Sequence, residues 1–196
     1  MKLYLSSLLI FYFHAMLNKP KSNRFLPIQC EPPSSLLPWL TYRQSLTDRL
    51  HVIAGNTCLQ VLGQQWESPN WWDKCVLHIN SDTVLHREIV MWAGQDACWY
   101  ARTIIPKHTY HSDPLFFSRL QTESLGILLF NENKVERIDM THYPISEHSI
   151  EYHWLEQWMR GSLKVLWVRL SVFTTQDDCP LYLIETLLPG LERYSL

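Results

Sequence analysis

Val84-Leu-His-Arg-Glu-Ile-Val-Met91 alternates with a period of two, the repeat of a β-strand. Leu85, Arg87, Ile89 and Met91 fall on one face, and Val84, His86, Glu88 and Val90 on the other. A guanidinium set among three large apolar side chains calls for an anion, because burying an unpaired charge costs several kcal/mol. A second strand, Leu181-Tyr-Leu-Ile-Glu-Thr-Leu187, sets Glu185 among Leu181, Leu183 and Leu187. Two strands that each project one charge from an apolar face suit a closed pocket for a small polar ligand. The same pattern admits Arg87 paired with Glu185 inside the core, or Arg87 paired with an acid near Glu88 or in a loop at the sheet edge. Spacing alone leaves these open.

Outward from Arg87, Gly94-Gln-Asp reads as a hairpin turn, and Cys98-Trp-Tyr-Ala-Arg-Thr-Ile-Ile105 as the next strand, closed by Pro106. Ser45 followed by Asp48 has the form of a capping box that opens a helix near Leu46, and Gly55-Asn56 ends it. Cys58 to Trp66 reads as extended, and Ser68-Pro-Asn-Trp-Trp-Asp73 as turn-rich. Ser112-Asp113-Pro114 starts a short helix. The apolar run Leu125 to Phe130, preceded by Ser124, fits a second short helix or a buried strand. Residues 131–160, rich in charge and histidine, give no clear pattern beyond a candidate helix at Glu151 to Met159. From Lys164, Val165, Trp167, Arg169, Ser171 and Phe173 alternate against Leu166, Val168, Leu170 and Val172. Hairpin-joined strands with helices gathered to one side give an antiparallel α+β domain.

At 196 residues the chain is expected to form one domain with a sizeable core. Residues 1–34 form an apolar, proline-rich N-terminal segment, and residues 35–196 the domain proper. A hydrophobic content of 46% argues for a folded globule. A formal net charge of −2 with no basic run argues against a nucleic-acid partner. Five scattered cysteines without a CxxC pair support neither a disulfide framework nor a zinc site. The nearest histidine groupings, His108 with His111 and His142, His148 and His153, lack metal-ligand spacing, so no metal is expected.

The opening Met1 to Leu17 resembles a signal-peptide core behind one lysine, too short for a spanning helix of ~20 apolar residues. His14-Ala-Met16 offers no small-residue cleavage site. The segment reads as an upstream start with Met16 as the true first residue, as a helix packed on the domain, or as a weak export signal. The first two are the expectation, and unpaired thiols agree with a cytoplasmic location and no stable membrane span.

No GxGxxG, Walker loop or nucleophile elbow is present. The groups left for chemistry are Arg87, Glu185, Arg102 and two helix starts. Arg102 falls on a strand face with Cys98, Tyr100 and Ile104. Arg169, beside Trp167 and opposite a purely aliphatic face, is expected at the surface with cation–π stacking. The unpaired N–H groups at Leu46 and Leu125 could receive a ligand carboxylate whose charge Arg87 meets. Glu185 would then face the opposite end of the ligand as acceptor or general base.

Five blocks in order resemble the bacterial chorismate pyruvate-lyases. They are Trp39-Leu-x4-Ser45-Leu-Thr-x-Arg-Leu50, His86-Arg-Glu-Ile89, Ala101-Arg-Thr-Ile-Ile-Pro106, Ser124-Leu-Gly126 with Leu129-Phe130, and Glu185-x-Leu-Leu-Pro189. They run from about residue 35 to the C-terminus, roughly four-fifths of the chain. The resemblance implies a six-stranded antiparallel sheet with helices over one side and a ligand buried beneath helical flaps. It implies cofactor-independent removal of pyruvate from chorismate to give 4-hydroxybenzoate, the first committed step toward ubiquinone, by a monomer. By position, Arg87 matches the arginine that binds the ring carboxylate, Leu46 and Leu125 the residues whose main chain meets it, and Glu185 the acid facing the ring hydroxyl. Two features depart from the family. The stretch between Phe130 and Trp167 is longer, and Trp167-Val-Arg-Leu-Ser171 keeps only part of a more basic Trp-Gly-Arg-Arg-Ser pattern. A non-catalytic small-molecule sensor of the same fold, or a degenerate lyase that binds without turnover, are the alternatives.

Overall fold

The computed structural model describes residues 31–121, 123, 125–131 and 134–195. The expectations for Met1 to Leu17 and for Ser124 lie outside these residues. Six strands form one antiparallel sheet in the order β1-β2-β3-β6-β5-β4. They are β1 (Thr57–Glu67), β2 (Val84–Ala93), β3 (Asp96–Pro106), β4 (Val135–Ser146), β5 (Val165–Thr175) and β6 (Pro180–Leu187). The helices are α1 (Leu37–Leu40), α2 (Leu46–Ala54), α3 (Trp71–Val76), α4 (Lys107–Ser112), α5 (Pro114–Ser118), α6 (Leu125–Asn131), α7 (Ile150–His153) and α8 (Gln157–Arg160).

The alternation around Arg87 becomes two cores. On one side Leu85, Ile89, Met91, Trp99, Ile105, Leu183 and Phe173 meet Trp39 and Leu40 of α1, Leu46 and Leu50 of α2, Phe117 of α5 and Leu128 of α6. On the other, Val84, Val90, Tyr100, Ile104, Val168 and Ile184 meet Trp72 of α3, Met159 of α8 and Leu155 between α7 and α8. Beyond the helices gathered on the first side, then, a thinner layer of short helices closes the second. Both faces of β2, β3, β5 and β6 are thereby taken from water.

Local chemistry explains most of the elements. The Ser45 side chain accepts from the Asp48 N–H at 3.2 Å and opens α2, which Gly55 ends at φ 72°. Asp113 caps α5 with Pro114 in its first turn. Gly94, at φ 58°, makes the turn between β2 and β3. Leu125 to Phe130, open between helix and strand, belongs to α6. Three readings need correction. The stretch after Ser68 is not only turn: Asn70 and Asp73 form a reciprocal capping box that starts α3. The unreadable region holds the edge strand β4, and Glu151 to Met159 is divided between α7 and α8. Cys98 does not share a face with Tyr100, because the register shifts between Met91 and Trp92 and turns Cys98 toward the first core.

The turn after β6, Pro189–Tyr194, folds back against β3. The Leu188 N–H donates to the Cys98 carbonyl at 2.9 Å, and a Cβ on Gly190 would lie 2.4 Å from the Ala97 carbonyl oxygen. Since backbone meets backbone here, Gly190→Ala is expected to cost about 1–3 kcal/mol of stability, read as a lowered urea midpoint. An unchanged midpoint would contradict so close an approach.

Candidate functional site

By strand period, β2, β6 and β5 place Arg87, Glu185 and Arg169 on the face covered by α1, α2 and α6. Arg87 stands opposite Thr103 on β3, and Glu185 stands opposite Ala101 on the same strand. One strand therefore separates them. Two strand spacings sideways and two residues along the chain put their Cα atoms roughly 12 Å apart. The two side chains reach toward one another across Ala101 and Thr103 and line a single cavity. Its walls include Ile89, Met91, Trp99 and Leu183, and its roof is Ser45, Leu46 and Thr47 at the start of α2 with Leu125, Gly126 and Leu129 of α6.

Arg87 is only 3% exposed. Its Nη2 donates to the Glu123 carbonyl at 3.3 Å, and its Nε has no hydrogen-bond partner among the described residues. No carboxylate pairs with it there. Burial pushes its pKa below the ordinary arginine value, the direction expected when a charge loses water without gaining a counter-ion. The alternatives left open by spacing are thus resolved. Among the described residues, Arg87 pairs neither with Glu185 nor with an acid at the sheet edge.

Glu185 pairs instead with Arg169, its cross-strand neighbour on β5. Arg169 Nε donates to Glu185 Oε2 at 2.7 Å, and Nη2 lies 2.5 Å from the same oxygen. Arg169 Nη1 also donates to the Tyr42 carbonyl at 2.7 Å, tying β5 to the segment between α1 and α2. The expectation of a surface Arg169 is therefore wrong. It is 1% exposed, because both faces of β5 are covered and the partner acid arrives from the neighbouring strand. Both Arg169 contacts fall on Oε2, one of the two carboxylate oxygens.

Leu46 and Leu125 sit where the helix starts meet the cavity, so four of the expected positions converge. Arg102 does not join them. It points to the other side of the sheet, where its Nη2 lies 2.8 Å from His86 Nδ1, its Nε 3.7 Å from Glu88 and its guanidinium beneath Trp154. The residue that sequence reasoning missed is Arg137 of β4, which reaches the cavity from the far side of the sheet. Its Nη1 donates to the Arg43 carbonyl, and its guanidinium carbon lies 4.9 Å from the centre of the Phe173 ring. Its only signal was a lone arginine in a stretch without clear periodicity. Among the described residues, no group of three histidine, cysteine, aspartate or glutamate side chains could hold a metal ion. No helix among them is long and apolar enough to cross a membrane.

An antiparallel sheet roofed by helix starts over a charged, partly open hollow is an α+β domain with a pocket of the kind that suits a small ligand. The chorismate lyase family profile matches residues 25–191. The chain is 30% identical over 179 residues to the probable chorismate pyruvate-lyase of Coxiella burnetii, covering 87% of this chain and 95% of that protein. It is 28% identical over 170 residues to the probable chorismate pyruvate-lyase of Idiomarina loihiensis, covering 86% of each. This chain belongs to the chorismate lyase family. Among solved structures it is similar to PhnF from Mycobacterium smegmatis, at 12% identity and a TM-score of 0.49, over 76% of this chain and 65% of that one.

Proposed function

We propose that this protein is a chorismate pyruvate-lyase, converting chorismate to 4-hydroxybenzoate and pyruvate at the head of ubiquinone biosynthesis, as a cytoplasmic monomer. The observation that carries the reading is Arg87, a buried guanidinium without a counter-ion among the described residues, facing the same cavity as Glu185. A bound carboxylate would supply the missing anion and meet the first N–H groups of α2 at Leu46 and the main chain at Leu125. The Glu185 carboxylate would accept from the ring hydroxyl at the opposite end. The four described cysteines are free, which suits a reducing compartment.

The reaction is an elimination across two adjacent ring carbons. The hydrogen on the hydroxyl-bearing carbon leaves as a proton, and its electron pair closes the aromatic ring. The neighbouring carbon–oxygen bond breaks, and its pair departs on enolpyruvate, which takes up a proton as pyruvate. No electrons are exchanged with an outside partner, so the step requires no redox cofactor. Aromatisation drives it. The protein's part is to hold the reactive conformer in a dry cavity and to fix both ends of the ring. A product that keeps the carboxylate and the hydroxyl keeps both grips, so competitive inhibition by 4-hydroxybenzoate is expected.

The test is incubation of the full chain with chorismate in the presence of EDTA, with pyruvate and 4-hydroxybenzoate both measured. Equimolar release of the two supports the reading. Saturable binding of 4-hydroxybenzoate without release of either product would overturn it in favour of a non-catalytic aromatic-acid binding domain.

A further inference from the structure

We infer that the Thr103 hydroxyl is a second side-chain donor to the ring carboxylate held by Arg87, reaching it from the sheet while the helix starts meet it from above. This assignment deepens the lyase reading above and rests on it. Thr103 brings a hydroxyl to a cavity floor otherwise built from Ile89, Met91, Trp99, Ala101 and Leu183. It is 3% exposed, and its hydroxyl makes no hydrogen bond among the described residues. Burying a hydroxyl without a partner is destabilising, so such a group on a cavity wall points to a ligand atom. Ser171 and Thr186 also carry unpartnered hydroxyls within the sheet, but neither lines the cavity. The Ser45 hydroxyl does line it, and already accepts from the Asp48 N–H.

Strand pairing decides which end of the ligand Thr103 serves. It stands directly opposite Arg87 on β2, which puts the two Cα atoms roughly 5 Å apart. Glu185 lies one strand away and two residues along, roughly 8 Å from Thr103. The hydroxyl therefore belongs to the Arg87 end. It offers one O–H and two lone pairs. Beside a guanidinium the lone pairs turn toward the cation, and the O–H turns toward an anion that the same cation attracts. One cation draws in a carboxylate from many directions. A second donor fixed on the sheet sets the orientation of that carboxylate, and with it the tilt of the ring between Arg87 and Glu185.

The experiment compares Thr103→Val, which keeps the shape and removes the donor, with Thr103→Ser, which keeps the donor. Calorimetry gives the Kd of 4-hydroxybenzoate and of benzoate, and steady-state assays give kcat and KM for chorismate. Thr103→Val is expected to raise both Kd values by the same factor, roughly 10- to 100-fold, because the two acids share the carboxylate. The chorismate KM should rise likewise, with kcat changed by less than about threefold. Thr103→Ser should stay within about threefold of the unsubstituted protein in every value, and the thermal midpoint of Thr103→Val should not fall. A loss confined to 4-hydroxybenzoate would move Thr103 to the hydroxyl end and overturn the inference. Unchanged affinity in Thr103→Val, or equal weakening in Thr103→Ser, would overturn it too. Should the unsubstituted protein bind 4-hydroxybenzoate without turning chorismate over, the lyase reading fails separately, and the two Kd values still decide the part played by Thr103. If Thr103→Val does not fold, Thr103→Ala set against Thr103→Ser carries the same comparison.

Discussion

Arg87→Met is expected to lower kcat/KM for chorismate on the order of 10²- to 10³-fold and to abolish measurable saturation by 4-hydroxybenzoate. The same substitution should leave the thermal midpoint unchanged or raise it. Those two outcomes come from one cause. Arg87 is 3% exposed, with the Glu123 carbonyl as its hydrogen-bond acceptor and no carboxylate in reach among the described residues. In the empty protein the guanidinium is a burden on the fold, and an unbranched apolar side chain of similar length removes it. In the complex it is the charge that offsets the ligand's carboxylate. A structural arginine would behave in the opposite way, so a lower midpoint with unchanged kinetics would contradict the assignment. Circular dichroism melts run beside steady-state assays separate the two cases.

Arg169→Met is expected to destabilise the fold by about 3–5 kcal/mol, which for a domain of this size is a fall in midpoint of roughly 10 °C. Glu185 is 5% exposed, and Arg169 makes two contacts with its carboxylate. Removing the guanidinium leaves that carboxylate buried without its cross-strand partner, and it also frees the Tyr42 carbonyl that anchors the chain ahead of α2. Glu185→Gln removes the matching charge from the other side and should lower turnover more than it weakens carboxylate binding, because the ring carboxylate is held at the far end. The double variant Arg169→Met with Glu185→Gln should recover much of the stability lost in Arg169→Met alone, and the cycle among the four proteins reads the coupling directly. Additive losses would mean that the pair does not act as a unit.

How far the sequence carried this site follows from what period and spacing encode. Arg87 was legible because β2 alternates without interruption and because three large apolar neighbours mark its face as buried. Ser45 with Asp48, Gly94, and Asp113 with Pro114 were legible because caps and tight turns are local chemistry. Arg169 was misjudged for a definite reason. Alternation assigns residues to two faces and does not say whether the second face is covered, and here helices close both. Its partner is fixed by the pairing of β5 with β6, a register that no local pattern reveals. Arg137 was missed because β4 is an edge strand whose register shifts between Arg137 and Asp139 and which carries Pro144 near its end, so the period of two is broken where it was needed. The Asn70 and Asp73 box was missed because Ser68, Pro69 and Asn70 are turn residues as well as cap residues, so the stretch reads as a turn.

The most direct measurement is a calorimetric titration of the purified protein with three ligands that differ by one group each: 4-hydroxybenzoate, benzoate and 4-hydroxybenzamide. If Arg87 and Glu185 hold opposite ends of one ring, 4-hydroxybenzoate binds tightest, benzoate loses the contact to Glu185 and weakens, and the uncharged amide fails to saturate. Equal affinity for all three, or saturation by the amide alone, would contradict a site built on a buried guanidinium that waits for a carboxylate.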